Sequence, residues 1–309
     1  MDRTLIKSGP AILTWNGATL YFKSGLTIEE SVSEFSVECD AMIAPDRRVD
    51  DRVVTFSGTP VGAWKDLNVL FPWLGASPGA RLFGASDKAA VIHFLDGDKY
   101  TYHNVGLTKM PNLFFSPMQT LLGPVEFEAR TKNDTAASAN NSLFTRSTQS
   151  FSDTSFDLTE ILTLPYTLNF GLSPWDSFDT EGGVEIIPTL QWRDIVSDKH
   201  GVVNKELTGL EVAAQFVPLG IAQSAIDAKL ALQNSAYAVR GARRSGVGAD
   251  FVISATGVYV ALRNASLRKA RLQSGRNVNR HGAVEAVASL EVATGAAVAQ
   301  LFVGTEAPV

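Results

Sequence analysis

With 309 residues, 45% of them hydrophobic and 19% charged, the chain has the length for two domains of ordinary size and a composition that excludes a disordered polymer. A formal net charge of −5 argues against holding nucleic acid by bulk attraction. The single cysteine, Cys39, excludes an internal disulfide framework and reads as a small strand hydrophobe with no His or basic neighbour to lower its pKa.

The N-terminal stretch MDRTLIKSGP lacks the apolar core of a signal peptide, so nothing points to secretion. Ala11 to Phe22 follows with Asn16-Gly17 between two apolar runs, a hairpin signal because both residues tolerate positive φ. From Glu34 to Ala41 acids alternate with Phe35, Val37 and Cys39, the period of a half-buried strand. The mixed-charge run Asp46 to Arg52 is expected as a solvated loop. Trp64, Leu67, Leu70 and Phe71 recur at helical spacing until Pro72, which predicts one short amphipathic helix. Ala89 to Leu95 and Lys99 to Tyr102 form a second hairpin across Asp96-Gly97, and Val125, Phe127 and Ala129 mark the last strand of this half.

Asn133 to Thr159 is dominated by Asn, Ser, Thr and Asp and reads as a linker or arm. Beyond it, Val184 to Arg193 and Leu207 to Phe216 are strand-like, Ile221 to Leu232 is helix-like, and Phe251 to Leu262 turns at Thr256-Gly257. Gly282 to Gly304 is the most apolar late stretch, but it carries Glu285 and Glu291 and alternates in polarity, so strands are expected there and not a membrane span.

The second half repeats landmarks of the first. Pro60-Val61-Gly62 returns as Pro218-Leu219-Gly220, 158 positions later. Gly79-Ala80-Arg81 returns as Gly241-Ala242-Arg243; Gly97, Asn104 and Leu107 as Gly257, Asn264 and Leu267; Gly123, Val125 and Glu126 as Gly282, Val284 and Glu285. The matched residues are those that fix turns and cores, which predicts a duplicated, mainly β domain with one short helix per copy. The expected boundaries are 1–132 and 161–309, with 133–160 as the polar linker.

Motifs for chemistry are weak. Gly75 to Gly79 matches G-x-S-x-G around Ser77, yet it follows a helix, contains Pro78, and has no serine in the second copy. His93, His103, His200 and His281 lack metal-ligand spacing, and no phosphate-cradling glycine motif is present. No catalytic residue, cofactor or metal is therefore expected. Charge position is more informative. Arg240 to Arg280 holds nine basic residues against Asp250, whereas Asp153 to Glu185 holds seven acids and no Lys or Arg. Basic loops of one subunit meeting acidic segments of the next would suit a repeating assembly.

Two β-rich copies, each with strands, a short helix and a closing strand in Val-Glu, resemble the major tail tube proteins of long-tailed, non-contractile bacteriophages. That resemblance implies tandem β-sandwich or half-barrel domains and rings of three chains stacked into a hollow tail tube in the virion, assembled in the host cytoplasm. It also implies contacts with tape measure, tail-tip and terminator proteins, transient passage of double-stranded DNA, and no membrane insertion. Glu126, Glu128, Glu285 and Glu291 are the expected lumen-facing acids, and Arg240, Arg243 and Arg244 the expected inter-ring contacts. The alternative is a β-sandwich baseplate or receptor-binding module, with Trp175 and Phe178 exposed to bind sugar.

Overall fold

A computed structural model describes residues 11–39, 42–62, 67–74, 76, 78–83, 88–116, 120–130, 143–151, 165–197, 201–230, 248–255, 257–272, 281–288, 291–293, 296–298 and 300–304. The chain opens with β1 (Ala11–Trp15) and β2 (Ala18–Phe22). Asn16 and Gly17 both take positive φ, 50° and 86°, the turn geometry that matches strand twist and that this dipeptide favours. A long hairpin of β3 (Thr27–Cys39) and β4 (Met42–Gly58) follows, then β5 (Pro60–Val61) and a single helical turn, α1 (Leu67–Leu70). β6 (Ala90–Phe94) and β7 (Asp98–Tyr102) flank the Gly97 turn. Next come β8 (Val105–Lys109), a small hairpin of β9 (Leu113–Phe115) and β10 (Thr120–Leu122), β11 (Val125–Arg130) and β12 (Phe144–Thr148).

The later half runs β13 (Thr167–Phe170), β14 (Asp179–Ser197), β15 (Gly201–Leu219), α2 (Gln223–Lys229), β16 (Ala249–Ala255), β17 (Val258–Leu272) and β18 (His281–Val287). It closes with β19 (Glu291–Ala293), β20 (Ala296–Val298) and β21 (Leu301–Gly304). The first half makes two sheets, ordered β12-β7-β6-β1-β2-β5 and β3-β4-β11-β8. A nine-stranded sheet, β10-β9-β14-β15-β18-β17-β16-β13 with β21 beside β17, carries the second.

The repeat extends to register. In the first half Ser33 pairs with Asp51, a bulge follows, and Glu34 pairs with Val49; 158 residues on, Gln191 pairs with Gly209, a bulge follows, and Trp192 pairs with Leu207. Glu126 opposite Ser57 becomes Glu285 opposite Gln215. Glu126 opposite Lys109, with its own bulge, becomes Glu285 opposite Lys269. Gly62 and Gly220 turn the chain out of the two hairpins with φ of 72° and 75°. Even the outer strands correspond, since β12 pairs with β7 as β21 pairs with β17. A one-residue slip would reverse every side chain, so matched bulges mark one pairing scheme used twice.

Buried side chains of both halves form one contiguous cluster, from Leu13, Phe56 and Phe127 to Phe170, Phe216 and Phe251. Two expectations fail on strand length. Residues 46–52 lie within β4, where cross-strand pairing with β3 consumes the backbone groups of a charged run read as loop. Residues 144–148, read as linker, form β12; Phe144 packs on Tyr100 and Tyr102 while the following residues are exposed, the pattern of a polar edge strand.

Candidate functional site: the joint between the halves

Among the described residues, the joint between the repeats includes three sets of contacts. In the first, the β9–β10 hairpin extends the second sheet, with Leu113, Phe114 and Phe115 opposite Ile186, Glu185 and Val184. Phe115 is fully buried and stands edge-on to Tyr166 at 6.0 Å. Asn112 Nδ2 donates to Glu185 Oε1 at 2.9 Å. Gly183, at φ 101°, lies so close to this hairpin that a Cβ would sit 2.2 Å from the Phe115 carbonyl oxygen. Only glycine permits that approach.

In the second contact, residues 79–83 run along β15. Gly79 N–H donates to Leu207 O at 2.9 Å, Leu207 N–H to Ala80 O at 2.8 Å and Leu82 N–H to Lys205 O at 2.8 Å. The Asn204 amide closes the run by accepting from Phe83 N–H and donating to Phe83 O.

The third contact is charged. Glu128 and Arg130, both buried on β11, pair with each other at 2.5 Å; Glu128 also pairs with Lys205, and Arg130 Nη1 donates to Val202 O at 3.1 Å. Beside them Trp192 Nε1 donates to Thr108 O at 3.0 Å, and its ring meets Trp73 edge-on at 5.0 Å. The buried charges are matched by opposite charge, the condition under which burial is tolerated.

Glu128 is thus not a lumen-facing acid: it is an internal ion-pair partner of the joint. Glu126 is half-buried, and Thr108 Oγ1 donates to its backbone oxygen at 3.1 Å and approaches its carboxylate at 3.4 Å. Arg268 bridges Glu285 and Glu211, and Gln215 donates to Glu285 at 3.1 Å. The Arg268 hydrogen bond holds the Glu285 carboxyl below its ordinary value, and the same bonds raise the Arg268 guanidinium. The side chain of Glu291, and Arg240, Arg243, Arg244 and Ser77 altogether, lie outside the described residues.

Trp175 and Phe178 are buried, not exposed, at 1% and 8%. They sit in an aromatic cluster with Phe170, Phe216 and Phe251, and Trp175 Nε1 donates to Ala225 O at 3.3 Å. Among the described residues no group of three or more His, Cys, Asp or Glu side chains converges as a metal site would, and no helix is long and apolar enough to cross a membrane. Lys205, Val202 and Asn204 escaped the sequence reading because their partners lie 72 to 121 residues away. The one available signal was the repeat of Gly79-Ala80-Arg81, conspicuous as a motif and silent about its contact. No protein-family model and no curated protein matches the chain.

Proposed function

We propose that the chain is a structural virion protein that polymerises into the hollow tail tube of a long-tailed, non-contractile phage. The observation that carries this reading is the shared register of the two halves, bulges included. A chain built of two equivalent units supplies six equivalent positions from three copies, and stacked rings of that kind enclose a channel. Glu126 and Glu285 hold the same register position in the two units, so each would recur around such a ring. Acids on the wall of a DNA conduit avoid phosphate contacts, each of which would add affinity through counterion release and retain the genome. Tape measure, tail-tip and terminator proteins are the partners this role requires, with assembly in the host cytoplasm.

The sugar-binding alternative loses its residues, because Trp175 and Phe178 have no exposed ring face to offer. Electron microscopy of the purified chain at rising concentration tests the proposal. Rings and hollow polymers are the expected result; compact particles at every concentration would refute it.

A further inference from the structure

The joint that β14 makes inside the chain has a counterpart that the chain leaves open. β3 occupies in the first half the place of β14 in the second, pairing with β4 as β14 pairs with β15. The outer edge of β14 carries β9, whereas β3 ends its sheet among the described residues. Gly25 is the counterpart of Gly183 and takes the same left-handed region, φ 88° against 101°. An added Cβ at Gly183 would strike the Phe115 backbone; one at Gly25 meets nothing within 4 Å. The side chains along the edge follow suit. Ile186 is fully buried where Ile28 is half-buried, and Val32 is 44% exposed.

We propose that the edge from Gly25 to Ile28 receives a second copy of this chain, through the β17–β18 end of that copy, as β14 receives β9–β10. Leu272 opposite His281 repeats Leu113 opposite Leu122. Arg271 crowds Gly282 as Asn112 crowds Gly123, so Arg271 stands where Asn112 stands at the internal joint. Charge agrees with this occupant. Glu29 lies on β3 beside this edge, while Lys269 and Arg271 lie at the end of β17. Such a contact uses different surfaces on the two partners, so it propagates head to tail and either closes into a ring or runs on as a filament. The inference deepens the tube reading and rests on its claim of self-assembly. The charged cluster of the internal joint has no counterpart there, since Val287 stands in the place of Glu128.

Asn112 and Glu185 hydrogen-bond across the internal joint, so their counterparts Arg271 and Thr27 should face each other between copies. The test places cysteines at both in full-length chain (Thr27→Cys, Arg271→Cys, Cys39→Ser) and adds a short bismaleimide at the concentration where the chain assembles. A ladder of covalent multimers is expected, with the single-cysteine chains giving none. Separate variants Thr27→Pro and Ile28→Pro complement it: successive amides of a strand point to opposite sides, so one of the two removes a donor from the outer edge. With folding verified by circular dichroism, that variant should show at least a tenfold smaller assembled fraction. A chain that assembles without the ladder, one that stays monomeric throughout, or two folded proline variants that assemble like the parent would each overturn the inference. Multimers that crosslink yet never stack into hollow tubes would keep this interface and remove the tube reading; tubes without crosslinks would do the reverse.

Discussion

β14 and β3 hold the same place in two copies of one pairing scheme, yet one is an interior strand and the other an edge. Their sequences have diverged to match. Where β14 carries Ile187, Pro188 and Trp192, β3 carries Glu29, Glu30 and Glu34, with Glu30 paired to Arg52. Beyond the β9 pairing at Val184 to Ile186, the first half still covers β14, as Trp73 and the Thr108 carbonyl do at Trp192, and a covered position can be apolar. An edge that meets solvent in the single chain needs charge to discourage unspecific strand addition. What persists in both is backbone: the bulge positions and the left-handed glycine, which constrain how any added strand can approach.

Removing a charge from the joint should give the largest effect. Glu128→Ala leaves Arg130 buried without its carboxylate and should cost about 3–5 kcal/mol in urea unfolding, whereas Val287→Ala at the equivalent position should cost about 1 kcal/mol. Equal costs would mean that the two positions are not distinguished by the joint.

The glycine pair sharpens the comparison further. Gly183→Ala pays for its left-handed backbone and displaces β9 as well, so a loss of about 2–3 kcal/mol is expected; Gly25→Ala bears only the backbone term, about 1 kcal/mol. Thermal or urea midpoints of the monomer decide between them.

Two pH effects are smaller. Burial, with Glu30 nearby, pushes the Tyr102 hydroxyl from 10.0 up to about 12. Its contribution is complete below pH 10 and lost as pH rises toward 12, so near pH 11 Tyr102→Phe should be less sensitive to alkali by about 1 kcal/mol. The second copy has Leu262 at this place, opposite Leu301 as Tyr102 is opposite Phe144, so this contribution has no counterpart at the equivalent position. The Glu285 carboxyl is held below 4.5 by Arg268; its contribution is present above that value and lost as pH falls through the depressed one. Glu285→Gln should flatten acid unfolding by under about 1 kcal/mol, because Arg268 is partly exposed.

Turns and repeats were legible in the sequence because they depend on one or two residues: Asn16-Gly17, Gly97, Gly257 and the pair Pro60 and Pro218 all fall where their local chemistry requires. Strand length was not. The run Asp46 to Arg52 has the composition of a loop, and only pairing with β3 makes it a strand. Phe144 gave too small a signal within a polar stretch to reveal β12. Burial of Trp175 depends on Phe216, brought in from a distant strand, as well as on its chain neighbours Phe170 and Phe178, and no local pattern announces that contact. Glu128 alternates along β11 as Glu126 does, and only the approach of β15 separates their roles.

Hydrogen exchange of backbone amides in free and assembled chain measures the two edges directly. In the free chain, Val184 to Ile186 should be protected beneath β9 while outward amides between Gly25 and Ile28 exchange rapidly. On assembly, protection at Gly25 to Ile28 should rise to the level of Val184 to Ile186. Assembled chains in which Gly25 to Ile28 still exchange as they do in the monomer would contradict the account.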